Sequence, residues 1–267
     1  MDRRNIYQGT PEWFNDRLFH FTSSELYKLL TKPKSKQDQE AGKPSKTMEE
    51  YIFEKLAEDL TGRYDDSLDT KALKWGETYE AEARLAYETV TGRQVDLCGF
   101  IEWSKIFGGS PDGLVDNDGI IEIKCPYTTA NHVKYLLLEN QDELFKLKPE
   151  YYTQIQGNLL VTGRGWCDFI SYDPRCIRSE FSLKILRVNR DEEFIYRIRD
   201  ALDKAERIKE QITDKIIRIC TEMQSCDREE LNMNKGLIAL AMSGLMVTGL
   251  VGCGASEGEG NDVLKVG

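Results

Sequence analysis

The chain has 267 residues, 40% hydrophobic and 31% charged, the balance of an ordinary globular protein with one substantial domain and room for an appendage. Its two histidines, His20 and His132, leave almost no material for a histidine-based metal site or a Ser-His-Asp triad. Seven cysteines without a C-x-x-C pair argue against a disulfide framework, a structural zinc or an iron–sulfur cluster, and the net charge of −10 argues against a broadly basic nucleic-acid surface.

In chain order, residues 1–10 are polar and charged and carry no secretion signal, which with reduced cysteines suggests the cytoplasm. Thr10, Pro11 and Glu12 read as an N-cap, a proline at the first helical position and a first-turn acid, so a helix should run to about Leu18. Thr22 and Glu25 form a capping-box pattern before Leu26, Leu29 and Leu30, predicting a second short helix. Residues 31–47 read as a loop. The stretch 28–46 carries six lysines against Asp38 and Glu40, a phosphate-binding segment or a solvated loop. Helical spacing predicts helices over 47–61 and 70–91, closed by Gly62 and Gly92.

The period then changes. Strands are expected over 94–103, 106–115 and 120–125, with Asp116-Asn117-Asp118-Gly119 as the turn before the last. Helices follow over 128–146 and 150–162, strands near 166–172 and 180–188, and a long amphipathic helix over 191–220 with Phe194, Ile198, Leu202, Ala205, Ile208, Ile212 and Ile216 on one stripe. Helices flanking a central mixed sheet make an α/β (α+β) domain over 1–225.

The segment 226–267 reads as an appended tail. Residues 236–256 carry no charge, and Met233-Asn234-Lys235 followed by an apolar run ending Leu250-Val251-Gly252-Cys253 resembles a bacterial lipoprotein signal with its lipobox. A fused or mis-joined reading frame starting near Met233, an apolar packing helix and a membrane anchor are the three readings. The run is shorter than the roughly 20 residues of a membrane span, and no membrane role is expected for the domain before it.

The chemistry lies in Gly109-Ser110-Pro111-Asp112-Gly113 and Ile120-Ile121-Glu122-Ile123-Lys124-Cys125-Pro126. With a period of two, Glu122 and Lys124 share one face of a strand, while Ile121 and Ile123 point into a core. The hairpin turn can set Asp112 beside Glu122. Two carboxylates and an ammonium in one place suit a divalent cation, Mg²⁺ or Mn²⁺, that polarises a phosphate and activates water. The plain alternative is an exposed hairpin face with a Glu–Lys pair worth ~0–1 kcal/mol. These residues alone leave both open.

The pattern resembles the PD-(D/E)XK nuclease superfamily, with its restriction-endonuclease-like core. Several blocks in order extend the likeness to the lambda-exonuclease and YqaJ-like viral recombinase family. They are the stretch 71–80 with Trp75, Gly76 and Glu80, then Ser110-Pro111-Asp112-Gly113-Leu114, Glu122-Ile123-Lys124-Cys125-Pro126, Gln154-Ile155-Gln156 and Tyr172-Asp173-Pro174-Arg175. Gln8 to Trp13 resembles the family's opening.

The resemblance implies that Asp112, Glu122 and the Ile123 carbonyl hold metal, two ions in this family's manner, with Glu80 beside them and Lys124 positioning the water. It implies a 5′-phosphate pocket of Arg17, Ser24, Ser110 and Gln156, and DNA contacts from Lys34, Leu73 and Gln154. Gln154 is the other candidate for the family's glutamine. The implied activity is 5′→3′ digestion of one strand of linear duplex DNA to 5′-mononucleotides. The implied partners are duplex DNA ends, two further copies in a trimeric ring and a single-strand annealing protein, in a phage or prophage setting. A single-strand exonuclease, a structure-specific endonuclease and a non-catalytic end-binding protein are the alternatives.

Overall fold

The computed structural model describes residues 8–63 and 71–244, and the described side chains exclude Leu73 and residues 223–244. The chain divides into two compact units, 1–213 and 214–267. The last part of the signal-like tail, 245–267, lies outside the described residues, as does the side chain of Leu73, one of the expected DNA contacts.

Local signals place the first helices. Helix α1 (Pro11–Arg17) starts where Thr10 Oγ1 accepts from Trp13 N at 3.3 Å. Helix α3 (Lys46–Thr61) is capped by Ser45, whose Oγ accepts from Met48 N at 3.0 Å, and ends at Gly62 with φ of 63°. Helix α4 spans Lys71–Thr91. The segment read as a loop contains a one-turn helix α2 (Lys36–Glu40), capped by Ser35.

The capping box at Thr22–Glu25 does not form. Phe21–Thr22 is strand β1, because Phe21 N donates to Ile106 O at 2.7 Å and Ser23 N to Gly108 O at 3.1 Å. A 3-10 helix (Leu26–Leu30) follows without a side-chain cap. Tertiary strand pairing has overridden a local pattern.

The remaining strands are β2 (Val95–Asp96), β3 (Ile101–Ser104), β4 (Phe107–Gly109), β5 (Gly113–Val115), β6 (Gly119–Lys124), β7 (Trp166–Tyr172) and β8 (Leu183–Asn189). They form two sheets, ordered β1-β4-β3 and β2-β5-β6-β7-β8, the second mixed because only β6 and β7 run parallel in it. The expected strands over 94–103 and 106–115 are each broken in two. The second break falls at Ser110, Pro111 and Asp112, where Pro111 has no N–H to donate, and the chain passes from one sheet to the other.

The β6–β7 crossover is made by α5 (Thr129–Leu136), α6 (Gln141–Leu147) and α7 (Pro149–Thr162). The expected single helix over 128–146 is therefore two, and Asn140 caps the second by accepting from Glu143 N at 3.1 Å. Helix α8 (Glu192–Gly244) runs well past the predicted end near residue 220.

Two apolar clusters sandwich the mixed sheet. Ile120, Cys167 and Phe169 face Ile155 and Leu159 of α7 and the Phe194–Ile198–Leu202 stripe of α8. Ile121, Ile123 and Ile170 face Ala83 and Tyr87 of α4. The alternation expected along β6 is observed, as is the mixed sheet flanked by helices. Cys98, Cys125, Cys167, Cys176 and Cys220 are free thiols, and no helix among the described residues is long and apolar enough to cross a membrane.

Helix α4 is also pinned through a polar contact. Tyr87 Oη donates to Asp168 Oδ2 on β7 at 2.8 Å, and Arg187 Nε on β8 donates to Asp168 Oδ1 at 2.6 Å. Tyr87→Phe should destabilise the protein by about 1.5–3 kcal/mol, the cost of removing a buried bond to a charged group. Chemical denaturation measures it, and an unchanged midpoint would remove this contact from the account of how α4 is held.

Candidate active site

The break after β4 carries Asp112 to the edge of β6 and binds it there. Asp112 N donates to Ile121 O at 3.2 Å, and Asp112 Oδ2 accepts from Ile123 N at 2.6 Å. Glu122 points to the α7 side and is fully buried. Its Oε1 receives Lys124 Nζ at 2.7 Å and its Oε2 receives Asn158 Nδ2 at 3.2 Å. Lys124 Nζ also donates to Gln154 Oε1 at 3.2 Å and lies 4.8 Å from the centre of the Tyr151 ring. Glu80 comes from α4, on the other side of the sheet. Arg84, one turn later, places Nη1 3.8 Å from Glu80 Oε1 and 3.4 Å from the Asp112 carbonyl oxygen.

Burial sets the charge state of this group. It pushes Glu122 up to about 8, and the neighbouring Asp112 adds to the shift while Lys124 opposes it. Burial and then Asp112 push Glu80 up to about 7. Asp112 is raised as well, chiefly by burial. For Lys124, burial lowers the pKa, but Glu122 and Asp112 outweigh it and the ammonium is held above its ordinary value. Three carboxylates in a place that disfavours their charges are the electrostatic setting in which added positive charge is stabilising.

These groups line a cleft of about 630 Å³. Glu80, Asp112, Glu122, Ile123, Lys124 and Gln154 all reach it, as do three of the four residues assigned to a 5′-phosphate, Arg17, Ser24 and Ser110. Ser110 Oγ accepts from Trp13 Nε1 at 2.9 Å, and the Arg17 guanidinium stacks 4.1 Å over the Trp13 ring. Gln156 does not join them. It is fully buried, with Nε2 donating to Asn189 O at 2.8 Å and Oε1 accepting from Asp191 N at 2.9 Å. Two residues along a helix turn the side chain to nearly the opposite face, so Gln154 meets the cleft and Gln156 braces the start of α8. Lys34 is exposed in the segment before α2, away from the cleft lining.

Sequence reasoning passed over Arg84, Trp13 and Asn158. Arg84 and Asn158 could have been found as the residues four positions after Glu80 and Gln154, hence on the same helix faces. Nothing local marks Trp13 as a partner of Ser110, 97 positions away.

Among the described residues, no three Asp, Glu, His or Cys side chains close into a ready-made cation cage. The donor set fits Mg²⁺ or Mn²⁺ in another way, since Mg²⁺ is commonly held by one or two carboxylates completed by water and substrate phosphates. Asp112 and Glu122 could hold it, and Ile123 and Glu80 line the same cleft.

Residues 12–165 match the YqaJ-like viral recombinase domain. The fold is similar to the alkaline exonuclease LHK-Exo of Laribacter hongkongensis, at 32% identity and a TM-score of 0.66 over 80% of this chain and 100% of that one. The same exonuclease in complex with dAMP gives 32% identity and a TM-score of 0.67 over the same shares. A phage-related exonuclease from Haemophilus somnus, at 24% identity and a TM-score of 0.61 over 76% of this chain and 99% of that one, shares the fold. No curated protein sequence matches this one.

The raised carboxylates give a pH prediction for the metal-free protein. Between pH 4.5 and about 8 the folded state keeps a proton on Glu122 that the unfolded chain has released. The folded state binds more protons there, so stability should fall as pH rises through this window. Glu122→Gln should flatten the slope. Thermal melts in EDTA at a series of pH values test this, and a wild-type profile that rises from pH 5 to 8 would contradict it.

Proposed function

From a chain that belongs to the YqaJ-like viral recombinase family, we infer a Mg²⁺-dependent DNA exonuclease that digests one strand of linear duplex in the 5′→3′ direction. It releases 5′-mononucleotides and leaves 3′ single strands for recombination by strand annealing. The observation that carries this reading is the continuity of one cleft from the Asp112–Glu122–Lys124 centre to Arg17, Ser24 and Ser110. A hydrolytic centre alone would suit any phosphodiesterase. A guanidinium and two hydroxyls in the same cleft add a place for a terminal phosphate, which an internal-cutting enzyme has no use for.

Bound at Asp112 and Glu122, Mg²⁺ or Mn²⁺ would supply charge to polarise the scissile phosphate and acidify water. The chain's own groups do the rest. Lys124 Nζ, set by Glu122 and Gln154, orients water with its N–H donors and offsets phosphate charge. Arg17 forks the terminal phosphate, with Ser24 and Ser110 donating the remaining bonds. Trp13 fixes the Ser110 hydroxyl and supports the guanidinium face. Gln8 Nε2 donates to the Pro111 carbonyl at 2.9 Å and steadies the turn that carries Asp112.

A trimeric ring around the DNA, with an annealing protein as the recipient of the single strand, completes the proposal. Enclosure would keep a chain of net charge −10 on DNA where electrostatic affinity is weak.

Incubation with Mg²⁺ and linear duplex, covalently closed circles or single strands tests the substrate class. Only linear duplex should be degraded, with 5′-mononucleotides as product, and cutting of closed circles would refute the exonuclease reading. Lys124→Ala should lower cleavage roughly 10²–10³-fold while end binding in EDTA persists. Arg17→Ala should remove the preference for a 5′-phosphorylated over a 5′-hydroxyl end, a loss of about tenfold or more. A preference that survives this change would place the phosphate elsewhere.

A further inference from the structure

Glu122 has two carboxylate oxygens, and Lys124 takes one of them. The other, Oε2, accepts from Asn158 Nδ2 at 3.2 Å. Asn158 lies on α7 one turn after Gln154, on the same helix face, and is fully buried. In the ionised form that a cation would meet, Glu122 fixes the orientation of this amide, since the reversed group would press Oδ1 against a carboxylate oxygen. Oδ1 then points away from Glu122, buried and without a hydrogen-bond partner.

Ser23 Oγ, on a residue 2% exposed, is buried and unpartnered as well. The two atoms face the same small space. A Cβ on Gly109 would stand 2.3 Å from Ser23 Oγ and 2.4 Å from Asn158 Oδ1, so only glycine lets both approach there. Leaving a buried polar atom unpaired costs about 1–3 kcal/mol, and a leucine or alanine would fill the same volume without that cost. The two atoms do not bond each other, so what sets off the cost of the orphaned Oδ1 is the other end of the amide, which holds a buried carboxylate oxygen.

We propose that Asn158 is the positioning residue for the cation site, holding Glu122 Oε2 so that the carboxylate is oriented before the cation arrives. A neutral amide suits this task. It supplies direction without a second positive charge beside the incoming one, whereas Lys124 alone could draw both oxygens toward itself. This inference rests on Glu122 being a cation ligand. Groups that orient metal-binding carboxylates typically cost 10–100-fold in metal affinity when lost.

The test is calorimetric titration of Mn²⁺ into the metal-free full chain without DNA, for wild type, Asn158→Leu, Ser23→Ala and Glu122→Gln. Asn158→Leu should weaken Mn²⁺ binding about 10–100-fold, while Ser23→Ala, which removes no bond to the site, should bind as wild type does. The melting point of Asn158→Leu in EDTA should fall, because the buried Glu122 Oε2 loses its amide donor, so Mn²⁺ binding is read well below the melting transition. In turnover, the half-saturating Mg²⁺ concentration should rise by the same factor while KM for DNA ends stays put. Wild-type Mn²⁺ affinity in a folded Asn158→Leu would overturn the proposal, and Asn158→Ala carries the same test if the leucine variant does not fold. If Glu122→Gln binds Mn²⁺ as wild type does, or wild type binds none, Glu122 is not a cation ligand and the underlying reading falls first.

Discussion

Two carboxylates and an ammonium share the end of β6, largely out of water, and the surrounding architecture is arranged around keeping them there. Burial raises the carboxylates and the carboxylates in turn raise Lys124, so the group is in electrostatic tension as it stands. Each charge is tied down by a different neighbour. Asp112 is held by the backbone N–H of Ile123, Glu122 by Lys124 and Asn158, Lys124 by Gln154 as well, and the Asp112 carbonyl by Arg84. Removing one partner of such a set leaves an uncompensated charge, which costs far more than the pair contributes.

The sheet supplies the rigidity this requires. Strand β6 is central, paired on both edges, with an apolar layer on each face. Its even-numbered side chains can therefore present charge to α7 only because its odd-numbered ones are locked against α4. The break at Pro111 is part of the same arrangement. A continuous strand from 106 to 115 would have carried Asp112 along one sheet, whereas the interrupted chain turns it onto the edge of the other.

Polar groups elsewhere in the domain show the same chemistry put to structural use. Asp168 is buried between Tyr87 and Arg187, and His132 bridges Ser171 and the Phe181 carbonyl at 2.7 Å on each side. Arg175 braces the exit of β6 by donating to the Pro126 and Tyr127 carbonyls while paired with Asp173. These groups have all their charge or polarity answered within the chain. The cleft differs in that its donors and acceptors converge on open space.

Much was legible in the one-dimensional pattern. Thr10, Gly62 and Gly92 mark helix ends because capping needs only the residue and its near neighbours. The alternation of Ile120 to Lys124 assigns faces because strand geometry has a period of two, and it puts Glu122 and Lys124 on one face with the hairpin bringing Asp112 toward them. Chain contacts across long separations were not legible. Phe21 and Thr22 became a strand because Gly108 and Ile106 offered partners, against their own capping pattern. Gln154 and Gln156 are equivalent on paper, and only the docking of α7 against β6 and the start of α8 decided which meets Lys124. Asn158, Ser23 and Gly109 come from three distant segments, and what joins them is a shared few ångströms of space that no local signal records.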